Sequence, residues 1–477
     1  MDCKSVIRGF ESHLGLAPFS MARRALVTFA LLIVVVVAGW FIAARQSPRD
    51  ERIPLVFWGH PSLSDEVYTL IHQFELKNPQ YKVVMGTAVA QDVTGDSQRL
   101  LSAIAGGVPP DVVWFDRFAI GEWAGRDALT DLTPYLAGQD AKDPYRIDFN
   151  EFYPWAVEEA SYKPPGSNAP SRVFGIPTEA DVRMLYANSD ILRQAGYVES
   201  NGEPRLPKNW DDLHEYTRRL TRFKTPGDKT SGVARLGFAP RIGNSWLYLF
   251  AWQAGGEFLN ADRTLCTMNS PPVVRALHFM ADLYDDLGGV GQVTALEQTY
   301  GGGAVDPFIQ NQVVMKIQGD DYLERIADWR PDMDFVVSPP PMPADRLDKG
   351  PISWSGGFAL VIPATAKHKD GAFKFIQYLY SWEALSLMER GKWEQKQSEG
   401  KLFMPRGFAN RVHYERLVKE YITDNPEVPP RIRQASSACK KAFLTTRVGD
   451  VCLLVGIIIF YNHFHTFRFT EIGRAHV

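Results

Sequence analysis

LVFWGH at Leu55–His60, FELKNPQYKVVM at Phe74–Met85 and RLLSAIAGGVPPDVVWFD at Arg99–Asp116 decide the fold. Leu55, Val56 and Phe57 form a short apolar run, as a strand buried on both faces requires. Ser64 and Asp65 suit the cap of a following helix. In that helix Val67, Leu70, Ile71 and Phe74 recur at the spacing of one buried face. Asn78-Pro79 ends it, because a residue before proline avoids the α region. Tyr81–Met85 reads as the second strand. Leu100, Leu101 and Ile104 mark a second helix, stopped by Gly106, Gly107 and the Pro109-Pro110 pair. Val112–Phe115 reads as the third strand. The unit is β-α-β-α-β, with parallel strands joined by right-handed crossovers.

In an open parallel sheet, ligands gather beyond the carboxyl ends of the strands. That places Trp58, Gly59 and His60 beside Trp114, Phe115 and Asp116. An indole next to a carboxylate suits a sugar ring, which has an apolar face and a rim of hydroxyls.

At 477 residues the chain has room for two domains of ordinary size. Its net charge of −3 is close to neutral, and no strong basic patch points to nucleic acid as a partner. The four cysteines form no CxxC pair and no metal-like cluster. No disulfide framework, metal site or cofactor is expected. There is no GxSxG elbow, HExxH helix or P-loop.

Leu26–Ala44 is almost wholly apolar, carries no charge, and approaches the roughly 20 residues that span a bilayer. Lys4, Arg8, Arg23 and Arg24 precede it, which keeps that end cytoplasmic and sends the remainder outward. The segment reads as an uncleaved anchor or as a cleavable signal with Ile42-Ala43-Ala44 as the cleavage site. No lipobox cysteine follows it. Met21, before Ala-Arg-Arg, is a more natural start than Met1. At the other end, EIGRAHV (Glu471–Val477) is the translation of a common sequencing-library adapter, so 471–477 is expected to be an artefact. Residues 444–477 are expected to be a non-native tail, with the true C-terminus missing.

Between these ends, Trp123–Leu136 reads as a helix and turn, Asp148–Ala160 as an aromatic-rich helix, and Lys163–Ser171 as a loop. VFGIPTEADVRMLYANSDIL switches from strand to helix at Asn188-Ser189-Asp190. Asn209 caps a helix beginning at Trp210, with Asp211 and Asp212 at its positive end. Trp246–Gly256 reads as a buried helix ended by glycines. Pro271–Leu287 is expected to bury Val274, Leu277, His278, Ala281 and Tyr284. Val313–Ile317, Phe335–Pro343 and Phe358–Ile362 read as strands, and Ala372–Trp382 as a helix.

FELKNP, AIAGGVPPDVV, FGIPTEADVRMLYANSDIL, FIQNQVVMKIQGD and SWSGGFALVIPATAKHKDGAFKFIQYL occur here in order. Together they make Leu55–Phe443 resemble the extracellular solute-binding proteins of ABC importers, the family of maltose-binding and glycerol-phosphate-binding proteins. The resemblance implies an α/β, two-lobed periplasmic-binding-protein fold of type II, each lobe a sheet flanked by helices, joined by hinge strands. It implies lobes at 52–175 with 352–381 and 176–351 with 382–443, behind a leading segment at 1–51. The chain would enter the second lobe near Ile176, return near Ile352 and leave again after Ser381.

The same resemblance implies a receptor outside the cytoplasm, secreted or membrane-tethered, that passes a small carbohydrate to ABC permease subunits. A monomer and no catalysis are expected. It places the ligand among Trp58, Gly59, His60, Trp114, Asp116, Thr178, Glu179, Arg183, Trp246, Gly319, Asp320, Trp354, Ser355, Gly356 and Arg406. Tryptophan stacks on a sugar face, carboxylates accept from hydroxyls, and arginine holds anions bidentately. With twelve tryptophans in the chain, core packing is the competing reading for each. Arg183 and Arg406 converging on one point would favour a sugar phosphate. Polyamine binding, a secreted glycosidase using Glu179 and Asp116, and a membrane-tethered sensor are the alternatives.

Overall fold

The computed structural model describes residues 29–30, 32–36, 50–59, 66–86, 93–301 and 303–443. Two units are distinguished, Met1–Ile53 and Pro54–Val477. In the leading unit 29–30 and 32–36 are helical, with Phe29, Leu32 and Val34 exposed. Among the described residues no helix is long and apolar enough to cross a membrane. The rest of the 26–44 stretch, His60 and the tail 444–477 lie outside the described residues.

The body is built on two main sheets. Strands are β1 (Ile53–Trp58), β2 (Tyr81–Met85), β3 (Val112–Asp116), β4 (Gly175–Pro177), β5 (Asp181–Asn188), β6 (Met315–Gly319), β7 (Phe335–Ser338), β8 (Ser355–Gly356) and β9 (Phe358–Val361). The first sheet runs β2-β1-β3-β9-β4. Phe57 lies opposite Val112 in a parallel pair. β9 is antiparallel to β3, with Leu360 opposite Trp114, and antiparallel to β4. The sheet is therefore mixed: β9 returns from the second sheet by a short link, which reverses its direction.

The helix Glu66–Lys77 buries Val67, Leu70, Ile71 and Phe74, the stripe its periodicity requires. Each such side chain contributes about 1.5–3 kcal/mol on burial. Phe74 packs edge-on at 4.9 Å against Phe375 of the helix Lys369–Tyr380. Phe74→Ala would cost about 3–5 kcal/mol there.

The second sheet runs β6-β5-β7, with β8 pairing the start of β5. Both long pairings are antiparallel: Met315 opposes Ala187, and Phe335 opposes Asn188. β5 is central and buried from Val182 to Asn188, which explains its continuous run VRMLYAN. Asn188 then caps the next helix by accepting from Ile191 N at 3.0 Å. Asn209 does the same for Trp210–Leu220, accepting from Asp212 N at 2.8 Å.

Three local expectations are corrected. Trp123–Leu136 is two short helices, Ile120–Gly125 and Thr133–Ala137, parted by Asp127 in a left-handed conformation. Asp148–Ala160 is split into a turn at Phe149–Glu151 and a helix Pro154–Glu159, because a proline starts a helix far better than it continues one. The helix Pro271–Asp286 buries Val273, Ala276 and Leu283. Val274, Leu277, His278 and Ala281 are exposed, so His278 is not a packed core histidine.

Three chain segments link the sheets. The first is Thr178–Ala180, between β4 and β5, and the second is Gly357, between β8 and β9. Ile176 still pairs Leu360 in the first sheet, and Ile352 packs in the second core. The third lies beside the first: Ala180 N donates to Gly407 O at 3.0 Å and Ala409 N to Thr178 O at 2.9 Å. Behind them the helix Trp382–Ser398 packs on Glu66–Lys77, while its Lys396 reaches Asp328 (2.6 Å) and Glu324 (3.0 Å) of the helix Tyr322–Trp329. The last described helix, Pro430–Phe443, buries Ile432, Ala435 and Cys439 against β5 and β7.

Candidate ligand-binding cleft

The residue after β3 organises the crossings. Arg117 is fully buried, and its Nε donates to Glu159 Oε2 at 2.7 Å. Its Nη2 donates to Gly356 O at 2.7 Å, and its Nη1 donates to Glu179 O. The Trp155 ring closes over the guanidinium at 5.7 Å. Burial opposes the charge on Arg117, but Glu159, Asp181 and Asp116 together hold its pKa above the ordinary value.

A second arginine sits on the other side of the crossings. Arg183 lies 3.8 Å above the Trp354 ring and contacts Asp181 Oδ1 at 2.5 Å. The Asn244 side-chain oxygen accepts from its Nε (3.0 Å) and Nη2 (3.2 Å). Asp181 Oδ1 also accepts from Gly356 N at 2.6 Å. Burial pushes the Asp181 carboxyl up, but Arg183 and these hydrogen bonds outweigh it, so the net shift is downward. Trp354 Nε1 donates to Asn244 O at 2.9 Å, and Tyr248 packs edge-on against the indole at 5.1 Å.

A third group faces the gap between the lobes. Glu179 and Glu324 flank Arg406 at 3.9 and 3.8 Å, too long for tight pairing. Asp321 is exposed to solvent, as a residue on the wall of a cleft should be. Burial raises the carboxyl pKa of both Glu179 and Asp321. Asp116, opposite Phe358, is pushed up to about 7 by desolvation, which outweighs its hydrogen bond from Phe118 N. Around the crossings carboxylates outnumber arginines, and each arginine already faces at least one acid.

The expected residues divide as follows. Thr178, Glu179, Arg183, Trp354, Ser355, Gly356 and Arg406 cluster at the crossings, with Asp116 next to Arg117. Gly319 O accepts from Tyr186 OH at 2.9 Å, and Asp320 is buried, accepting from Val182 N at 3.1 Å. Both support the second sheet, and Asp320 also lines a small cavity with Asp321, Glu324 and Arg406. Trp354 is only 6% exposed, so it is a packed wall and not an open platform. Trp114 lines an apolar cavity with Thr178, Tyr380, Met388, Phe408 and His413. Trp58 is covered by Arg99, 4.7 Å from its ring, and Gly59 is buried. Trp246 is 46% exposed at the start of Leu247–Gln253.

Arg117, Glu159, Asp181, Asn244 and Asp321 were not singled out by the sequence. Asp181 and Asp321 adjoin residues that were, and Arg117 follows Asp116. Nothing local marks Glu159 or Asn244. Among the described residues no group of three or more His, Cys, Asp or Glu is arranged to hold a metal ion.

A family model described as bacterial extracellular solute-binding protein matches residues 60–384. A second, described as NADH:quinone oxidoreductase/Mrp antiporter, TM, matches only 431–477. Part of that short match is the helix Pro430–Phe443, which packs into the body. The arabinooligosaccharide-binding protein of Bacillus subtilis (strain 168) is 24% identical over 358 residues, 73% of each chain. The mannobiose-bound structure of CpMnBP1 superposes with a TM-score of 0.63 at 19% identity, covering 89% of this chain and 98% of that one. Maltose-bound MalE3 of T. maritima gives 0.56 at 19% identity, covering 86% and 94%. The shared fold is the two-lobed, type II periplasmic-binding-protein fold.

Proposed function

Because the chain belongs to the bacterial extracellular solute-binding protein family, we propose that it captures a neutral oligosaccharide between its lobes and delivers it to an ABC permease. One observation carries the choice of ligand. Solvent-accessible Glu179, Asp321 and Glu324 and the loosely paired Arg406 gather where the three crossings meet. Carboxylates and a guanidinium held this way match the donors and acceptors of sugar hydroxyls. The relatives named for arabino-oligosaccharide, mannobiose and maltose support the same class.

A sugar phosphate fits less well. Arg183 is committed to Asp181 and Asn244, while Arg406 stands between two glutamates, so these two arginines do not form a free pair for an anion. The binding residues we assign are Asp116, Thr178, Glu179, Arg183, Trp354, Ser355, Gly356 and Arg406, with Trp58, Gly59, Trp114, Trp246, Gly319 and Asp320 as supporting or outlying positions and His60 assigned from the sequence alone. We keep the lobe limits inferred from the sequence, 52–175 with 352–381 and 176–351 with 382–443, as a proposal for the first two crossings; the third crossing, beside Gly407 and Ala409, lies well after Ser381. The protein acts as a monomer without turning over its sugar. The apolar segment 26–44 takes it out of the cytoplasm as a signal or an anchor.

A thermal-shift screen of neutral oligosaccharides, sugar phosphates and polyamines tests this reading. Ligand at a hundredfold over Kd stabilises by about 2.7 kcal/mol, a readily measured shift. Neutral oligosaccharides should raise the melting temperature and be recovered intact. A response to phosphates or polyamines alone, or turnover of the sugar, would overturn it.

A further inference from the structure

Arg117 contacts both crossing segments while belonging to neither. Its guanidinium reaches Glu179 O on the first crossing and Gly356 O beside the second. Its backbone N donates to Gly357 O at 3.1 Å. Its third partner, Glu159, sits on the first-lobe helix Pro154–Glu159 and is itself 3% exposed. The third crossing is tied in through the first by the hydrogen bonds of Thr178 and Ala180. Gly357 makes the arrangement possible. Its φ is +138°, and a Cβ there would overlap Glu179 O and sit 2.7 Å from Arg117 Nη1.

We propose that Arg117 is the positioning residue of the hinge. One guanidinium bolts the crossing segments to the first lobe, so they swing together and bend only on their second-lobe side. The inference rests on the reading that the lobes move, but not on which ligand is bound. The chemistry favours arginine specifically. Its planar fork presents several donors at once, and it stays charged when buried, whereas a lysine ammonium can satisfy Glu159 but not two separated carbonyls.

The test uses the ligand-free full chain, so failure of the sugar assignment leaves it intact. Spin labels at Lys142 and Lys208, one on each lobe, report the interlobe distance distribution. Labels at Lys208 and Lys229 serve as a control within the second lobe. The background replaces Cys3, Cys266 and Cys452 by serine. Two variants are compared with the parent: Arg117→Lys, and the double variant Arg117→Met/Glu159→Met, which leaves no buried charge unpaired. Both should at least double the width of the interlobe distribution and leave the control unchanged, with Arg117→Lys the narrower of the two. An unchanged interlobe width in either folded variant overturns the proposal. So does equal broadening of the control, or failure of both variants to fold, because each means that Arg117 merely holds the core together.

Discussion

The guanidinium of Arg183 lies 3.8 Å above the ring of Trp354, and the two residues are joined again through Asn244. A cation–π contact that is largely desolvated contributes about 2 kcal/mol. The pair fixes the second-lobe wall beside the crossings.

Replacing either partner should have unequal effects. Trp354→Phe keeps a ring under the guanidinium but loses the hydrogen bond to Asn244 O, and should cost about 0.5–1.5 kcal/mol of stability. Arg183→Met strands the Asp181 carboxylate and should cost about 3–5 kcal/mol. Chemical denaturation of both variants checks the order. Equal losses would mean that Asp181 does not depend on Arg183.

Asp116 gives the fold a defined pH response. Its carboxyl pKa is near 3.9 in an unfolded chain and about 7 in the folded protein. Between those values the folded state holds a proton that the unfolded state has released. This contribution is full below about pH 4 and is lost as pH rises to 7. Asp116→Asn cannot titrate. Its melting temperature, relative to wild type, should rise from pH 4 to 7 and level off above. A flat difference across that range would contradict the shift.

Gly357→Ala should be the most damaging glycine substitution at the crossings. The residue sits at φ +138°, and the added methyl meets Glu179 O and Arg117. Backbone strain alone costs on the order of 1–3 kcal/mol. A melting curve within a degree or two of wild type would show that the crossings relax freely.

The helix Pro430–Phe443 packs Ile432, Ala435 and Cys439 into the core on one face of the second sheet. A chain ending after Phe443 should keep its melting temperature and its ligand response. One ending before Pro430 should unfold or aggregate, because it exposes the apolar surface that this helix covers. Loss of folding in the chain that ends after Phe443 would assign the residues beyond it a role in the body.

The elements were legible where one periodicity dominates. Val67, Leu70, Ile71 and Phe74 admit a single buried face, and the two-sided burial of β5 leaves a run that only a central strand explains. The helix Pro271–Asp286 failed because its apolar residues form two competing stripes. Val273, Ala276 and Leu283 won through their packing partners, which spacing alone does not reveal. Glu179, Arg183, Gly356 and Arg406, picked out by chain position, lie together at the crossings. The Arg117–Glu159 pair was not picked out, because its members are far apart in sequence and each reads locally as an ordinary surface charge. Chain position alone left the packing of the tryptophans open: Trp354 precedes β8 and is packed by Arg183 and Tyr248, and Trp114 lies within β3 and lines an apolar cavity.

We propose that a sugar is held between two lobes that close on it. Small-angle X-ray scattering of the protein with and without a saturating oligosaccharide from the screen tests it most directly. Closure brings the two lobes together about the crossings, so the radius of gyration should fall on binding and recover when the sugar is removed. An unchanged radius at confirmed saturation would contradict the account.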